Sequence, residues 1–209
     1  MAWSSAKMLH YQIQSQLNFY NLSTQHLELT YEPLEKSMKE YLEDQLKPFY
    51  EQIQSKKMAV SYMEYQHDDV QSPCHFDWKI YSEVMFHVFS NAVKYNRKDG
   101  YLNIEIRYVP ELIINEDTGL EHQTGKTLLI TAVTDSGQGI GSRVRNNIFK
   151  TFQRAMDRHN SILEAKGVGL GLSTARALLA SLGGKIEIGT NKGEGTKVIF
   201  SMAMSNEYH

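Results

Sequence analysis

The sequence predicts an α+β fold, a two-layer α/β sandwich in which a mixed sheet of about five strands carries helices on one face. A helical extension precedes it. Three observations predict this. Apolar residues recur at helical spacing through the first 56 residues, and period-two alternation takes over at about Lys57. From there the segments read strand, helix, strand, strand, loop, helix, strand, strand. The loop in that order, residues 141–166, is about 25 residues long, a length that in a compact domain usually marks function.

Residues 8–32 contain neither Pro nor Gly, and Leu9, Ile13, Leu17, Tyr20, Leu27 and Tyr31 approximate one helical stripe that Pro33 should end. A second amphipathic pattern runs through Met38, Leu42, Leu46, Phe49, Tyr50 and Ile53, and Pro48 within it should kink or restart the helix. Alternation over residues 58–65 predicts a strand. The stretch 66–76, with Asp68, Asp69 and Pro73, reads as loop, and Asp77 is placed to cap a helix running to Tyr95.

Strands are expected at residues 102–109 and 127–134, with 110–125 as a hairpin tip. A helix over 169–182 should close on Gly183 and Gly184. Strands at 185–189 and 196–202 flank a Gly-rich turn. The division that follows is residues 1–56 as helical extension, 57–203 as the chemistry-bearing domain and 204–209 as a tail.

A formal charge of -2 on 209 residues gives no broad pull toward nucleic acid or anionic lipid. The single cysteine, Cys74, cannot form an internal disulfide, and no Cys/His set has zinc spacing, so a reducing, cytoplasmic setting is expected. No run approaches the roughly 18 apolar residues that span a bilayer. No membrane segment is therefore expected in this chain, although a longer parent protein could carry one.

Four constellations carry possible chemistry. On the helix after Asp77, Ile80, Val84, His87, Asn91 and Tyr95 fall on one side, so Asn91 sits in an apolar stripe. A buried amide without a partner costs about 1–3 kcal/mol, so Asn91 either pairs with backbone or faces a ligand. Its carbonyl oxygen suits Mg²⁺, and Lys94 could reach a phosphate. Next, Asp135-Ser136-Gly137-Gln138-Gly139-Ile140 follows an apolar strand. Its glycines allow close approach to a planar ligand and its carboxylate can accept from an exocyclic amine, as adenine requires, although the same string also makes an ordinary turn.

The third, Ile148-Phe149-Lys150-Thr151-Phe152-Gln153-Arg154, reads by itself as core. The fourth, Gly167-Val168-Gly169-Leu170-Gly171-Leu172, opens an apolar helix whose free amides could cradle phosphate. The absence of a preceding strand disfavours a dinucleotide fold.

In this order and spacing the four segments resemble the N, G1, F and G2 boxes of the histidine kinase branch of the GHKL ATPases, whose other members include gyrase B, Hsp90 and MutL. Gly193, Glu194, Gly195 and Thr196 resemble the closing glycine motif. The resemblance covers about residues 57–202, and the upstream helices resemble the second dimerisation helix and its linker. It implies the Bergerat fold, with ATP and Mg²⁺ as ligands. Asn91 would bind Mg²⁺, Lys94 and Tyr95 would line the phosphate and sugar side, Asp135 would read the adenine amine, and Gly137, Gly139 and Ile140 would shape its pocket. Gly167, Val168, Gly169, Leu170, Gly171 and Leu172 would wrap the triphosphate and hinge a lid formed by 141–166. Phe152 and Thr196 would border the nucleotide, and Arg154 would approach the γ-phosphate.

Two departures qualify the expectation. His87 stands four before Asn91, where histidine kinases often carry Asn and gyrase-like ATPases carry a catalytic Glu; His87 could orient water or polar groups. No segment resembles the H box of the phosphoacceptor helix, since His10, His26, His67 and His75 all lack its context. The resemblance therefore implies a phosphate donor that needs a histidine-bearing dimerisation helix of the same or a partner chain, with a response-regulator receiver downstream and a homodimer as a natural assembly. The alternatives are a GHKL-type ATPase, a protein kinase like the mitochondrial dehydrogenase kinases, and a degenerate ATP-binding module.

Overall fold

The computed structural model describes residues 6, 9–11, 13, 14, 17, 29–68, 70, 75–114, 119–141, 171–190 and 193–204. The described residues between 6 and 17 are helical. Tyr11 stacks on Phe86 with ring centroids 4.3 Å apart and donates its hydroxyl to Gln45 Oε1 at 3.0 Å.

The expected first helix does not reach Pro33. Leu29, Thr30 and Tyr31 are non-helical, and Glu32–Pro33 forms strand β1. Tertiary hydrogen bonds draw this segment out: Thr30 N–H donates to Asp77 Oδ2 at 2.9 Å, and Trp78 Nε1–H donates to Glu32 O at 2.8 Å. Pro33 is tolerated because it lies in a two-stranded edge pairing, where a missing donor costs little.

Helix α1 (Met38–Leu46) starts at a reciprocal capping box between Ser37 and Glu40. Pro48 restarts the helix as expected: a 3₁₀ turn over Lys47–Phe49 leads into α2 (Tyr50–Ser55). Helix α2 ends in a Schellman motif, with Lys57 N–H on Gln54 O and Met58 N–H on Ile53 O, both 3.0 Å. Strand β2 (Ala59–Gln66) follows, then β3 (His75–Phe76), which pairs antiparallel with β1 within the expected loop.

Helix α3 (Trp78–Lys94) is capped by Asp77, whose Oδ1 accepts from Ile80 N at 2.9 Å. It is buried nearly all round, from Tyr81 and Met85 to Phe89 and Val93, rather than along one stripe. The sheet lies on one side of it, and α1 and the next long helix pack on others.

Strands β4 (Tyr101–Ile114) and β5 (Glu121–Asp135) are longer than expected. Residues 110–114 and 121–125 are strand rather than hairpin tip. The pairing steps across an irregularity between Pro110 and Leu112, which absorbs the proline. Helix α4 (Gly171–Ser181) ends at Gly183, φ 68°, with Gly184 N–H on Leu179 O at 2.7 Å. Strands β6 (Lys185–Thr190) and β7 (Thr196–Ala203) complete a five-stranded sheet of order β2-β4-β5-β7-β6, with β2 and β4 parallel and the other pairs antiparallel.

One face of that sheet, carrying Leu102, Ile104, Ile106, Leu129, Val133, Val198, Phe200 and Met202, is buried in the core with α3 and α4. Side chains alternate across strands, so Glu105, Arg107 and Lys197 project from the other face. Tyr81 Oη and Thr131 Oγ1, 2.9 Å apart, satisfy one another inside the core. Among the described residues no helix is long and apolar enough to cross a membrane.

Candidate nucleotide site

The site is built around α3. His87, Asn91 and Tyr95 succeed one another at four-residue intervals, so Asn91 stands one helical turn, about 6 Å of rise, from each of its two neighbours. The Tyr95 end meets the loop after β5. The His87 end meets the start of α4.

At the Tyr95 end, Asp135 closes β5 with its side chain buried. Its Oδ1 accepts from Gly137 N at 2.8 Å, and its carboxylate also accepts from Thr196 N–H. Burial raises its pKa above the usual carboxylate value, and these two amide donors oppose the rise. Gln138 N–H donates to Tyr95 O at 3.3 Å, which brings the loop against the end of α3. Gly137 is needed there, because a Cβ would lie 2.5 Å from Tyr95 O and 2.7 Å from Asp135 Oδ1. The β6–β7 turn joins the same place: Gly193 N–H donates to Gln138 O at 2.7 Å.

At the other end, Gly171 begins α4 against the imidazole of His87, where a Cβ would stand 2.9 Å from Nδ1. His87 is buried, and burial depresses its pKa to about 4. Its Nε2 lies 4.0 Å from Glu83 Oε1, also buried. Lys94 places its ammonium 5.1 Å from the Tyr95 ring centroid, a cation–π contact that keeps the charge at the C-terminal end of α3.

Of the residues expected from sequence, the structure thus brings Tyr95, Asp135, Gly137 and Thr196 together at the C-terminal end of α3 and sets Gly171 against His87 about two turns back along the helix, with Asn91 half-buried between. Gly139 adopts φ 66°, and Ile140 and Leu172 are half-buried. Phe152, Arg154, Gly167, Val168, Gly169 and Leu170 lie outside the described residues.

Two residues that frame the site were not singled out by sequence reasoning. Asn96 donates through Nδ2 to Tyr101 O at 3.0 Å, and its Oδ1 accepts from Arg97 N at 3.0 Å and from Ser136 Oγ at 3.1 Å. Ser136 Oγ in turn accepts from Tyr101 N at 2.8 Å. This hub ties the end of α3 to the start of β4 and the end of β5. The available signal was position alone, since Asn96 directly follows Tyr95 and Ser136 sits inside the Asp135–Ile140 segment without a role of its own.

Comparison with known proteins bears on the family and the fold. The family model described as histidine kinase-, DNA gyrase B- and HSP90-like ATPase matches residues 77–206, more than half of the chain. The sensor protein KdpD of Mycobacterium tuberculosis is 31% identical over 98 residues, a match that covers 47% of this chain and 10% of KdpD. The Acinetobacter baumannii histidine kinase AdeS superposes with a TM-score of 0.61 at 21% identity, over 97% of this chain and 81% of that one. Full-length ShkA in complex with AMPPNP gives a TM-score of 0.66 at 19% identity, over 98% of this chain and 38% of that one. These two structures bear on the fold alone, and the chain spans about a tenth of the length of KdpD. On the family match, which covers residues 77–206, the chain belongs to the histidine kinase-, DNA gyrase B- and HSP90-like ATPases.

Proposed function

We propose that this chain is the Mg·ATP-binding catalytic domain of a sensor histidine kinase, donating the γ-phosphate to a histidine on a dimerisation helix of the same or a partner chain, from which a response-regulator receiver takes it. The observation that carries the reading is Asp135. An ionised carboxylate has about four acceptor positions. Gly137 and Thr196 occupy two and fix its orientation, so the carboxylate retains capacity for the exocyclic amine of adenine. That the relatives include the sensor protein KdpD and the sensor histidine kinase WalK of Bacillus subtilis favours the histidine kinase branch over the other members of the family.

The rest of the site fits a nucleotide triphosphate. Asn91 offers an amide oxygen from a half-buried position between His87 and Tyr95, the donor type a hard divalent cation takes alongside phosphate oxygens and water. Bound Mg²⁺ would neutralise charge on the β- and γ-phosphates. Lys94 adds a cation near the end of the helix. Burial keeps His87 neutral at physiological pH, so it serves as a hydrogen-bonding group and not as a charge. In the transfer, an acceptor imidazole nitrogen forms a bond to the γ-phosphorus as the bond to the ADP oxygen breaks, and the protein's share is position and charge stabilisation. The parts assigned to Arg154, Gly167 and Gly169 rest on the sequence motifs.

Calorimetric titration with AMPPNP and Mg²⁺, repeated with Asn91→Ala and Asp135→Ala, tests the site. Both substitutions should weaken binding at least tenfold, about the loss of one hydrogen bond to a charged group. Unchanged affinity in both variants would remove the assignment. Phosphohistidine formed on a supplied acceptor helix supports the kinase reading. Steady release of phosphate to water without an acceptor would point to an ATPase.

A further inference from the structure

One side chain of the N-terminal linker reaches the end of α3 beside the site. Lys56, the residue that caps the end of α2, donates its ammonium to three carbonyls at the end of α3: Val93 O at 2.7 Å, Lys94 O at 2.9 Å and Asn96 O at 3.0 Å. An ammonium has three N–H donors, and all three are used. Val93 O and Lys94 O are among the carbonyls that a helix terminus leaves without intrahelical partners, at the negative end of the helix dipole, and Asn96 O follows just past the C-cap Tyr95.

The backbone around Lys56 is built for this contact. Its own carbonyl accepts from Asp99 N at 2.7 Å. Lys57 and Asp99 adopt φ 52° and 53°, and among the described residues they are the non-glycine residues with positive φ. Left-handed backbone at a lysine costs energy that the surrounding contacts must offset. The strain therefore gathers where the linker, the end of α3 and the turn into β4 meet.

We propose that Lys56 is a positioning residue for the nucleotide site, holding the last turn of α3 so that the Tyr95 carbonyl stays under the Asp135–Gln138 loop. The connection is short. The carbonyls that Lys56 grips belong to residues on both sides of Tyr95, and Tyr95 O is the group that accepts from Gln138 N. Asp135 and Gly137 share that loop. A linker displaced by a change upstream would withdraw the ammonium, release the end of α3 and loosen the adenine side of the pocket. This proposal rests on the nucleotide reading above and adds a residue outside all four motifs.

The test uses the full chain with Lys56→Met, Lys56→Gln and Lys56→Arg, titrated with Mg²⁺ and AMPPNP well below each variant's unfolding midpoint, and with amide hydrogen exchange followed at Gln138. Lys56→Met should bind about tenfold more weakly, as expected for loss of a charged hydrogen-bond donor set. Lys56→Arg, which keeps charge and donors, should recover most of that loss. Exchange at Gln138 should accelerate in Lys56→Met while the β5–β7 amides keep their protection. If Lys56→Met does not fold, Lys56→Gln is read in its place.

A merely structural role would lower the unfolding midpoint and leave affinity and Gln138 exchange at wild-type values, and that result would overturn the proposal. Asp135→Ala separates the two readings. If it leaves binding intact, the site reading fails; if it abolishes binding while the Lys56 variants bind normally, only the role of Lys56 falls.

Discussion

Gly171 and His87 meet without room between them: a Cβ on the first residue of α4 would stand 2.9 Å from Nδ1 of an imidazole buried on α3. The contact sets how closely two helices of one layer approach. It also puts the last glycine of the G2 motif beside the residue four before Asn91. Any side chain at 171 must move either the ring or the helix.

Gly171→Ala should therefore act on both stability and binding. The ring is enclosed, so the added methyl forces a backbone shift, and overpacking of this kind costs about 1–3 kcal/mol. Urea unfolding should show that loss, and AMPPNP titration should show weaker binding because the start of α4 moves away from α3. Wild-type affinity with reduced stability would mean that the α3–α4 spacing is irrelevant to the ligand.

His87 predicts a pH dependence whose sign is fixed by burial. Its pKa falls from 6.5 in the unfolded chain to about 4 in the folded protein, so between these values the unfolded state takes up a proton that the folded state refuses. Stability is then full above pH 6.5 and declines as pH falls toward 4, by on the order of 3 kcal/mol for this residue alone. His87→Asn removes the titrating group. Over this range its unfolding free energy should lose less on acidification than the wild type, and parallel curves would show that His87 is not the group responsible.

Legibility of this fold and site in the sequence followed the range of the interactions involved. Asp77 as helix cap, Pro48 as restart and Gly183–Gly184 as helix stop were readable because each acts within a few residues on its own backbone. The close of β5 at Asp135 was readable because a carboxylate ending an apolar strand before two glycines is a local pattern. The β1–β3 pairing was not, since Thr30 becomes extended by reaching Asp77, 47 residues away. Lys56 and Asn96 were invisible for the same reason: a surface-type lysine and one more asparagine become specific only through partners brought up by the tertiary fold. The true length of β4 and β5 was hidden by Pro110, which reads as a breaker until the ladder steps around it.

Gly195 offers a sharper steric case than Gly171. Its φ is 87°, and a Cβ would fall 2.0 Å from the carbonyl oxygen of Asp135. Gly195→Ala should lose more than about 2 kcal/mol, since left-handed strain and a backbone clash add. The clash pushes on Asp135, the residue proposed to read the base, so whatever fraction folds should bind AMPPNP poorly. Thermal unfolding followed by circular dichroism, with titration at low temperature, checks both effects.

Asp135→Asn sets stability against function at one side chain. Burial raises the pKa of Asp135, so the folded state holds its charged form at a cost near neutral pH, a cost that falls away as pH drops and the carboxyl protonates. An amide carries no charge, and its oxygen can still accept from Gly137 N. Unfolding free energy at pH 7 should change by less than about 1 kcal/mol, because loss of the Thr196 contact is set against relief of the buried charge. Binding responds differently. The –NH₂ of Asn places a donor where the adenine amine brings another donor, and one of them must go unpaired. Affinity for AMPPNP should fall by ten- to about a hundredfold, as for an unsatisfied buried polar group. A variant that kept both its stability and its affinity would show that the carboxylate does not read the base, and the adenine would then have to be placed elsewhere on the sheet.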